Sequence, residues 1–185
     1  MKSKLLLHIC CAPDEAYAVD VLKDSFDLRC FFCNPNIFPD KEYGLRLNEA
    51  QKAAGIYGVP FIYDDYQPHL WTEAVNVLTN TPEGGGRCRA CFLLRLSRTA
   101  AACKAMGWPA FGTVMSVSPH KKISMLDEAG DIAAAAHGVS YIPFNLKKKD
   151  GFRKSIELSR KLGLYRQNYC GCELSFHETQ ARTVK

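Results

Sequence analysis

The first hydrophobic run of the chain reads Lys4-Leu5-Leu6-Leu7-His8-Ile9-Cys10-Cys11-Ala12-Pro13-Asp14. A short apolar run that ends at a proline-containing turn is typical of a buried strand, and a helical pattern starts directly after it. In an open α/β sheet, ligands bind just beyond the carboxyl ends of the strands. Cys10, Cys11 and Asp14 occupy that position, so the sequence puts its first candidate site at the end of its first strand.

Strand and helix patterns alternate along the rest of the chain. Further strands are predicted at 27–33, 61–63, 110–115 and 141–144, and helices at 14–24, 41–57, 69–78, 87–106, 125–137 and 152–162. Asp14 is a candidate cap for the first helix. Five alternations predict an α/β fold with a doubly wound, mostly parallel sheet of about five strands and flanking helices. No repeat or domain boundary is evident, so residues 1–185 are expected to form one domain.

Composition narrows the class of protein. The chain has 185 residues, of which 47% are hydrophobic and 23% charged, as in an ordinary soluble globular domain. No run approaches the length of a membrane-spanning helix, and the first apolar run is too short for a signal peptide, so a cytoplasmic protein is expected. Residues 1–92 carry a net charge of −3 and residues 93–185 a net charge of +8, which gives the total of +5. This asymmetry suggests a polyanionic partner such as nucleic acid, although a solvated basic surface explains it equally well.

Nine cysteines in a reducing compartment favour metal binding over disulfides, which an odd number also argues against. Six of them form three pairs at short spacing: Cys10-Cys11, Cys88-x-x-Cys91 and Cys170-Gly-Cys172. The second pair opens a helix, where the helix N-terminus and two flanking arginines are expected to lower the thiol pKa values. The remaining cysteines, Cys30, Cys33 and Cys103, and also His8, are interpreted mainly as core residues.

Six thiols and one carboxylate exceed the needs of a single metal site. A tetrahedral zinc takes four ligands, and a [4Fe–4S] cluster takes four, usually cysteines. One four-cysteine site and a second metal held by two cysteines and Asp14 would use every group. Sulfur together with carboxylate suits iron or zinc at the second site.

The order of these motifs resembles one family, the QueH-type epoxyqueuosine reductases. The resemblance rests on His8-x-Cys10-Cys11-Ala12-Pro13, Asn34-Pro35-Asn36-Ile37 with Glu42-Tyr43 and Arg46, Arg87-Cys88-x-x-Cys91-Phe92, Ser118-Pro119-His120-Lys121 and Tyr165-Arg166-Gln167-x-Tyr169-Cys170-Gly171-Cys172. It spans nearly the whole chain. Two positions depart from the pattern: Asp14 stands where many members have a third cysteine, and Cys33 where many have tyrosine.

The resemblance implies a HUP-like, Rossmann-like fold and a reductive deoxygenation of epoxyqueuosine in tRNA to queuosine, the last step of queuosine biosynthesis. It also implies a [4Fe–4S] cluster beside a second, mononuclear iron ion. Carried onto this chain, the implied cluster ligands are Cys11, Cys88, Cys91 and one cysteine of the Cys170-Gly-Cys172 pair. Cys170 is assigned to the cluster, with Cys172 as the alternative. The implied ligands of the second iron are Cys10, Asp14 and Cys172, so that the C-terminal Cys-Gly-Cys segment completes the metal site.

The resemblance further implies catalytic residues and partners. Candidates for proton donation or substrate orientation are Asp14, Tyr43, Arg46, His120 and Tyr169. The expected partners are a tRNA carrying epoxyqueuosine in its anticodon loop and an external electron donor, such as a ferredoxin- or flavodoxin-like protein. The candidate phosphate contacts are the basic groups Lys121-Lys122, Lys147-Lys148-Lys149, Arg153-Lys154 and Arg160-Lys161.

Three other functions compete with this one. An ATP-dependent tRNA-modifying enzyme of the PP-loop type would need a Ser-Gly-Gly-x-Asp-Ser loop after the first strand, where this chain has Cys-Cys-Ala-Pro-Asp. A zinc-stabilised RNA-binding module would use the same cysteines without catalysis. A thiol redox protein would rely on Cys10 and Cys11, but a disulfide between neighbouring cysteines is geometrically strained.

Overall fold

The computed structural model describes residues 2–183 of the chain. Five strands and seven α-helices alternate in these residues, together with two short 3₁₀ helices. The strands are β1 (Ser3–Ile9), β2 (Phe26–Phe32), β3 (Phe61–Tyr63), β4 (Ala110–Thr113) and β5 (Ser140–Tyr141). The α-helices are α1 (Ala12–Leu22), α2 (Asp40–Tyr57), α3 (Pro68–Val75), α4 (Gly86–Ala105), α5 (Ile123–His137), α6 (Gly151–Lys161) and α7 (Glu173–Thr183). The 3₁₀ helices are Asn76–Leu78 and Val114–Val117.

All the strands pair in parallel, in the order β3-β2-β1-β4-β5. The predicted doubly wound α/β sheet is therefore confirmed. The chain moves outward from β1 to β3 and then returns to the other side of β1 with β4. The strand order reverses between β1 and β4, and a crevice forms at such a point beyond the carboxyl ends of the strands. Cys10 and Cys11 follow β1 directly at this crevice.

β1 lies between β2 and β4 at the centre of the sheet and is buried on both faces. Leu5, Leu7 and Ile9 belong to the core on the side of α1 and α2. Leu6 points the other way, into the core formed with α4 and α5. Successive side chains of a strand alternate between faces, so an uninterrupted apolar run is what a doubly covered strand requires. This burial gives the end of β1, and the cysteines after it, a fixed position.

The structure corrects four predicted details. Asp14 does not cap α1, because the helix already begins at Ala12 and Cys11 is the capping residue. The strand predicted at 110–115 ends at Thr113 and continues as a 3₁₀ helix, and the strand predicted at 141–144 is reduced to Ser140–Tyr141. The helix predicted at 69–78 ends at Val75. Helix α7 was not predicted, because its apolar residues show no clear helical stripe.

No helix in the described part of the chain is both long enough and apolar enough to cross a membrane.

Candidate metal centre

Cys10, Cys11 and Asp14 form a compact group of potential metal ligands at the carboxyl end of β1. Each contributes one ligand atom, and these atoms lie within 4.8 Å of one another. The Cys10 Sγ lies 3.8 Å from the Cys11 Sγ and 3.7 Å from Asp14 Oδ2. The chain turns into α1 here, and this turn lets neighbouring side chains that would diverge on a strand converge. Burial raises the pKa of Asp14 well above its usual range.

The second pair of thiols lies in the first two turns of α4. Gly85 precedes the helix as its cap, and the backbone N–H of Gly84 donates to Cys88 Sγ at 3.2 Å. Cys91 is buried, whereas Cys88 is half-buried. The glycine-rich stretch therefore provides a backbone donor to a sulfur atom.

The expectation that flanking arginines lower these thiol pKa values is wrong. Arg87 pairs instead with Glu178 at 2.6 Å, and Arg89 pairs with Glu128. Burial raises the pKa of Cys91 to about 11 and also raises the pKa of Cys88. Metal binding displaces the thiol proton, so a raised pKa makes a thiol a poor free nucleophile without preventing it from acting as a metal ligand. The environment therefore suits metal ligands better than free nucleophiles.

The Cys-Gly-Cys segment is held by a buried arginine of α2. The guanidinium of Arg46 donates to the carbonyl oxygens of Cys170 at 3.1 Å and Tyr169 at 3.3 Å, and to the Glu42 carboxylate at 2.7 Å. Its plane also lies over the Tyr169 ring, 5.0 Å from the ring centre. Gly171 adopts φ = +126°, a conformation that favours glycine. Arg46 thus fixes the path of the loop that carries Cys170.

Cys172 follows Cys170 in this loop. It is buried in an apolar cluster with Cys91, Trp71 and Val75. The backbone N–H of Ser175 donates to Cys172 Sγ at 3.4 Å. Burial raises the pKa of Cys172, and the nearby Cys170 adds to the shift. Cys172 therefore shares a buried cluster with Cys91 of α4, while Cys11 lies with Cys10 and Asp14.

Two cationic side chains face the thiols. Lys121 Nζ lies 3.3 Å from Cys170 Sγ, and Arg95 Nη1 lies 3.9 Å from Cys91 Sγ. Within residues 2–183, neither cation forms an ion pair with a carboxylate. Burial alone would lower the pKa of Lys121, but the nearby Cys170 and Cys10 raise it. Cations that are wholly or partly buried need compensating negative charge, which metal-bound thiolates would supply.

A cavity of about 360 Å³ is lined by Cys10, Asp14, Lys121 and Cys170. Of the candidate catalytic residues, Asp14, Arg46, His120 and Tyr169 line its wall. Tyr43 does not belong to the wall. It is buried in the core against Phe32 and Tyr66, and its hydroxyl donates to the carbonyl oxygen of Asp64 at 3.3 Å.

The residues interpreted as core are buried as expected. Cys30 and Cys103 are fully buried in the two main cores. His8 is also fully buried, with its ring nitrogens bonded to Thr113 Oγ1 at 3.0 Å and to the carbonyl oxygen of Cys33 at 3.1 Å. The Cys33 thiol donates to Asp64 Oδ2 at 3.3 Å, and burial raises its pKa to about 12. None of these groups is available as a ligand in this conformation.

Arg95 and the inward orientation of Lys121 were not anticipated from the sequence. Arg95 follows Cys91 by four residues, a spacing that places two side chains on the same face of a helix. That spacing was the available signal. Lys121 ends the Ser118-Pro119-His120-Lys121 motif, but it was interpreted only as a phosphate contact. A lysine in a loop gives no sign of which way its ammonium points.

The donor set fits an iron–sulfur group. All nine cysteines are free thiols. Cys10, Cys170 and Asp14 line the cavity, and Cys11 lies within 4.8 Å of Cys10 and Asp14. The thiols of Cys88, Cys91 and Cys172 are near enough to Cys170 to interact with it electrostatically. N–H groups donate to sulfur at Cys88, Cys170 and Cys172, as is common around iron–sulfur clusters. Two cations balance the negative charge that thiolate ligands bring. The cysteines therefore indicate an iron–sulfur cluster, with the Cys10, Cys11 and Asp14 group suited to a metal ion.

Solved structures with a similar fold come from tRNA-modifying systems. The U34-tRNA thiolase NcsA from Methanococcus maripaludis, solved with its [4Fe–4S] cluster, matches 94% of this chain and 61% of its own, with a TM-score of 0.58 and 15% identity. A predicted subunit of a tRNA methyltransferase from Methanocaldococcus jannaschii matches 83% of this chain and 76% of its own, with a TM-score of 0.56 and 12% identity. At these identities the likeness shows the fold alone.

Similarity in sequence is more specific. Three relatives named Epoxyqueuosine reductase QueH come from Streptococcus pyogenes serotype M1, Acinetobacter baylyi and Thermotoga maritima. They are 34%, 37% and 33% identical to this chain. The matches cover 93%, 95% and 96% of this chain and 70%, 82% and 93% of the relatives. The sequence model of the family described as Epoxyqueuosine reductase QueH matches residues 5–178. The chain therefore belongs to the epoxyqueuosine reductase QueH family.

Proposed function

We propose that this protein reduces epoxyqueuosine in tRNA to queuosine. Family membership supports the activity. The observation that carries the proposal is a group of free thiols and a carboxylate at one cavity: Cys10, Cys170 and Asp14 line it, and Cys11 lies within 4.8 Å of Cys10 and Asp14. A redox centre beside a substrate-sized cavity is what a reductive reaction requires.

The reaction removes the oxygen atom of an epoxide. Both carbon–oxygen bonds break, a carbon–carbon double bond forms, and the oxygen leaves as water. Two electrons and two protons are consumed, and an external one-electron donor, such as a ferredoxin- or flavodoxin-like protein, is oxidised twice. When bound, an iron–sulfur cluster would transfer single electrons, and a second iron would act as a Lewis acid.

The proposed metal ligands follow the family pattern. A [4Fe–4S] cluster would be held by Cys11, Cys88, Cys91 and Cys170, and a mononuclear iron by Cys10, Asp14 and Cys172. The packing favours exchanging Cys11 and Cys172 between the two sites. Cys11 lies within 4.8 Å of Cys10 and Asp14, whereas Cys172 belongs to the same buried cluster as Cys91. Cys170 remains a cluster ligand in both arrangements.

The chain's own residues would bind the substrate and supply protons at the cavity. Asp14 and His120 are the proposed proton-handling groups because both line the wall. Tyr169 donates its hydroxyl to the carbonyl oxygen of Phe38, and burial raises its pKa to about 12, so it would orient the substrate without ionising. Arg46 is a positioning residue, because its donors hold backbone carbonyls.

The proposed substrate is the modified base of a tRNA anticodon loop. Because the cavity lies among the metal ligands, the base must leave its stack to enter it, and loop bases do so most easily. Arg166 and Phe152 line the cavity, and the Arg166 guanidinium carbon lies 6.0 Å from the centre of the Phe152 ring. This pair is a proposed contact for the RNA. A cytoplasmic location belongs to this proposal, because nine free thiols fit a reducing compartment.

Metal analysis of anaerobically purified protein tests this function, together with reduction of epoxyqueuosine tRNA by a chemical or protein reductant. About five irons and four acid-labile sulfides per chain are expected from a four-iron cluster and one further iron. The product is detected by mass spectrometry of the digested tRNA. A colourless, folded protein with zinc and no sulfide would contradict the reductase function and favour the zinc-stabilised RNA-binding module.

A further inference from the structure

Lys121 occupies a position that a phosphate contact would not need. Its Nζ lies 3.3 Å from Cys170 Sγ and 5.9 Å from the centre of the Phe92 ring. It lines the same cavity as Cys10 and Asp14, so its ammonium group faces the sulfur atoms. Its neighbour Lys122 is exposed instead. Two consecutive lysines therefore have different surroundings.

The backbone of Lys121 is fixed in the loop after β4. Its N–H donates to the carbonyl oxygen of Ser118 at 3.4 Å, and its own carbonyl oxygen accepts from Lys147 Nζ at 2.7 Å. Lys147 thereby ties the loop after β4 to the basic loop before α6. The position of the ammonium group is held by more than its contact with Cys170.

A fixed positive charge at this distance acts strongly on a redox group. Reduction of an iron–sulfur cluster adds one negative charge, which a nearby cation stabilises in an environment of low polarity. Arg95 is the other cation at the thiols, but one of its nitrogens is bonded to Asn34 Oδ1 and another lies 3.9 Å from Cys91 Sγ. Lys121 makes the shorter contact to sulfur.

We propose that Lys121 stabilises the reduced state of the iron–sulfur cluster through Cys170 and so sets its reduction potential. This inference rests on the proposed function, because it needs a cluster at Cys170. In the step concerned, the external donor loses one electron and the cluster gains it, with no proton transferred. Lys121 is a positioning residue in this sense, since it acts through Cys170.

A redox titration of the anaerobically purified holoprotein, followed by electron paramagnetic resonance, tests the inference. In Lys121→Met we expect the reduction equilibrium constant to fall by about tenfold, which corresponds to about 59 mV for one electron. Lys121→Arg keeps the charge and should restore a potential near that of the wild type. Lys122→Met is the matched control, since it removes the same charge from an exposed neighbour and should leave the potential unchanged.

Lys121→Gln serves as a second neutral variant. Loss of the cluster from both neutral variants, but not from Lys121→Arg, would support stabilisation by the cation. A wild-type potential in either neutral variant, or loss of the cluster from Lys121→Arg as well, would overturn the role of Lys121 and leave the proposed function intact. Absence of a cluster from the wild-type protein would overturn both.

Discussion

The cysteines of this protein differ in what their surroundings allow them to do. Cys30 and Cys103 are sealed in the two cores, where burial raises their thiol pKa values. Cys88 and Cys170 are half-buried, and each receives a hydrogen bond from an N–H group. Hydrogen bonds of this kind are accepted by metal-bound cysteine sulfur atoms in proteins.

Removal of Cys88 tests the cluster directly. Cys88→Ala is expected to lose both sulfide and iron, together with all reductase activity, because a four-ligand cluster loses one of its anchors. Cys103→Ala is the matched control, because it removes a buried thiol far from the cavity wall and should retain the iron and sulfide of the wild type. Iron and acid-labile sulfide assays make the comparison. Normal cluster content in Cys88→Ala would contradict the assignment.

Cys11→Ala extends the same assay to the two ligand arrangements. If Cys11 holds the mononuclear iron with Cys10 and Asp14, as their mutual distances favour, the variant loses about one iron and keeps about four sulfides. Loss of all the sulfide would instead show that Cys11 is a cluster ligand.

At the scale of elements, the decisive segment is the loop between α6 and α7. It carries Cys170 and Cys172 and is held from both sides. Arg46 of α2 binds its carbonyl oxygens, and the backbone N–H of Phe38 donates to the carbonyl oxygen of Gly171 at 2.8 Å. Phe176 of α7 packs against the rings of Phe38 and Tyr169. The loop therefore depends on α2 and α7, which are distant in sequence.

Gly171→Ala tests whether this loop geometry controls metal binding. A Cβ at position 171 would lie 2.8 Å from Arg46 Nη1, and φ = +126° is unfavourable for alanine. Such strain costs about 1–3 kcal/mol and is expected to displace Cys170, so iron content and activity should fall while the protein stays folded. Iron assays and urea unfolding give the two readouts.

Gly163→Ala provides the control for this substitution. Gly163 also has positive φ, +60°, but a Cβ there would meet nothing within 4 Å. Backbone strain alone should lower its stability by about 1–2 kcal/mol and leave the iron content unchanged. Equal iron content in the two variants would show that the contact with Arg46 does not control the centre.

At the scale of the whole molecule, the sheet topology separates two basic regions. Lys2 and Lys4 lie where β1 begins. They are therefore at the amino end of the central strand, and Cys10 follows its carboxyl end. Lys148 and Lys149 are exposed in the loop between Lys147, which binds the Lys121 carbonyl oxygen, and Phe152, which lines the cavity. Only the second region adjoins the candidate site.

The salt dependence of tRNA binding tests which region contacts phosphate. Lys148→Gln combined with Lys149→Gln should weaken binding and reduce the slope of log K against log salt by about 1 to 2, because each phosphate contact contributes about 0.7 to 0.9. Lys2→Gln combined with Lys4→Gln makes the same charge change at the amino end of β1, away from the candidate site, and should leave the slope unchanged. Equal slopes in the two double variants would remove the 148–149 loop from the interface.

The sequence by itself determined the fold class, and it indicated that the cysteines bind metal. An apolar run at 5–9 must be covered on both faces of the sheet. Strands that alternate with helices meet this requirement in a parallel sheet, because the connecting helices pack on both faces. Cysteine pairs at short spacing indicate metal ligands in any fold, because residues close in sequence stay close in space. The family motifs likewise follow the order of the chain.

Only the tertiary structure decided how the ligands are grouped and what surrounds them. Cys172 shares a buried cluster with Cys91, and Lys121 lies beside Cys170, through contacts between residues far apart in the sequence. The arginines that flank Cys88 turn away to Glu178 and Glu128, which no local pattern shows. Tyr43 belongs to the core although its motif suggests a site residue. Local spacing specifies which side chains share an element, whereas packing between elements decides which of them meet.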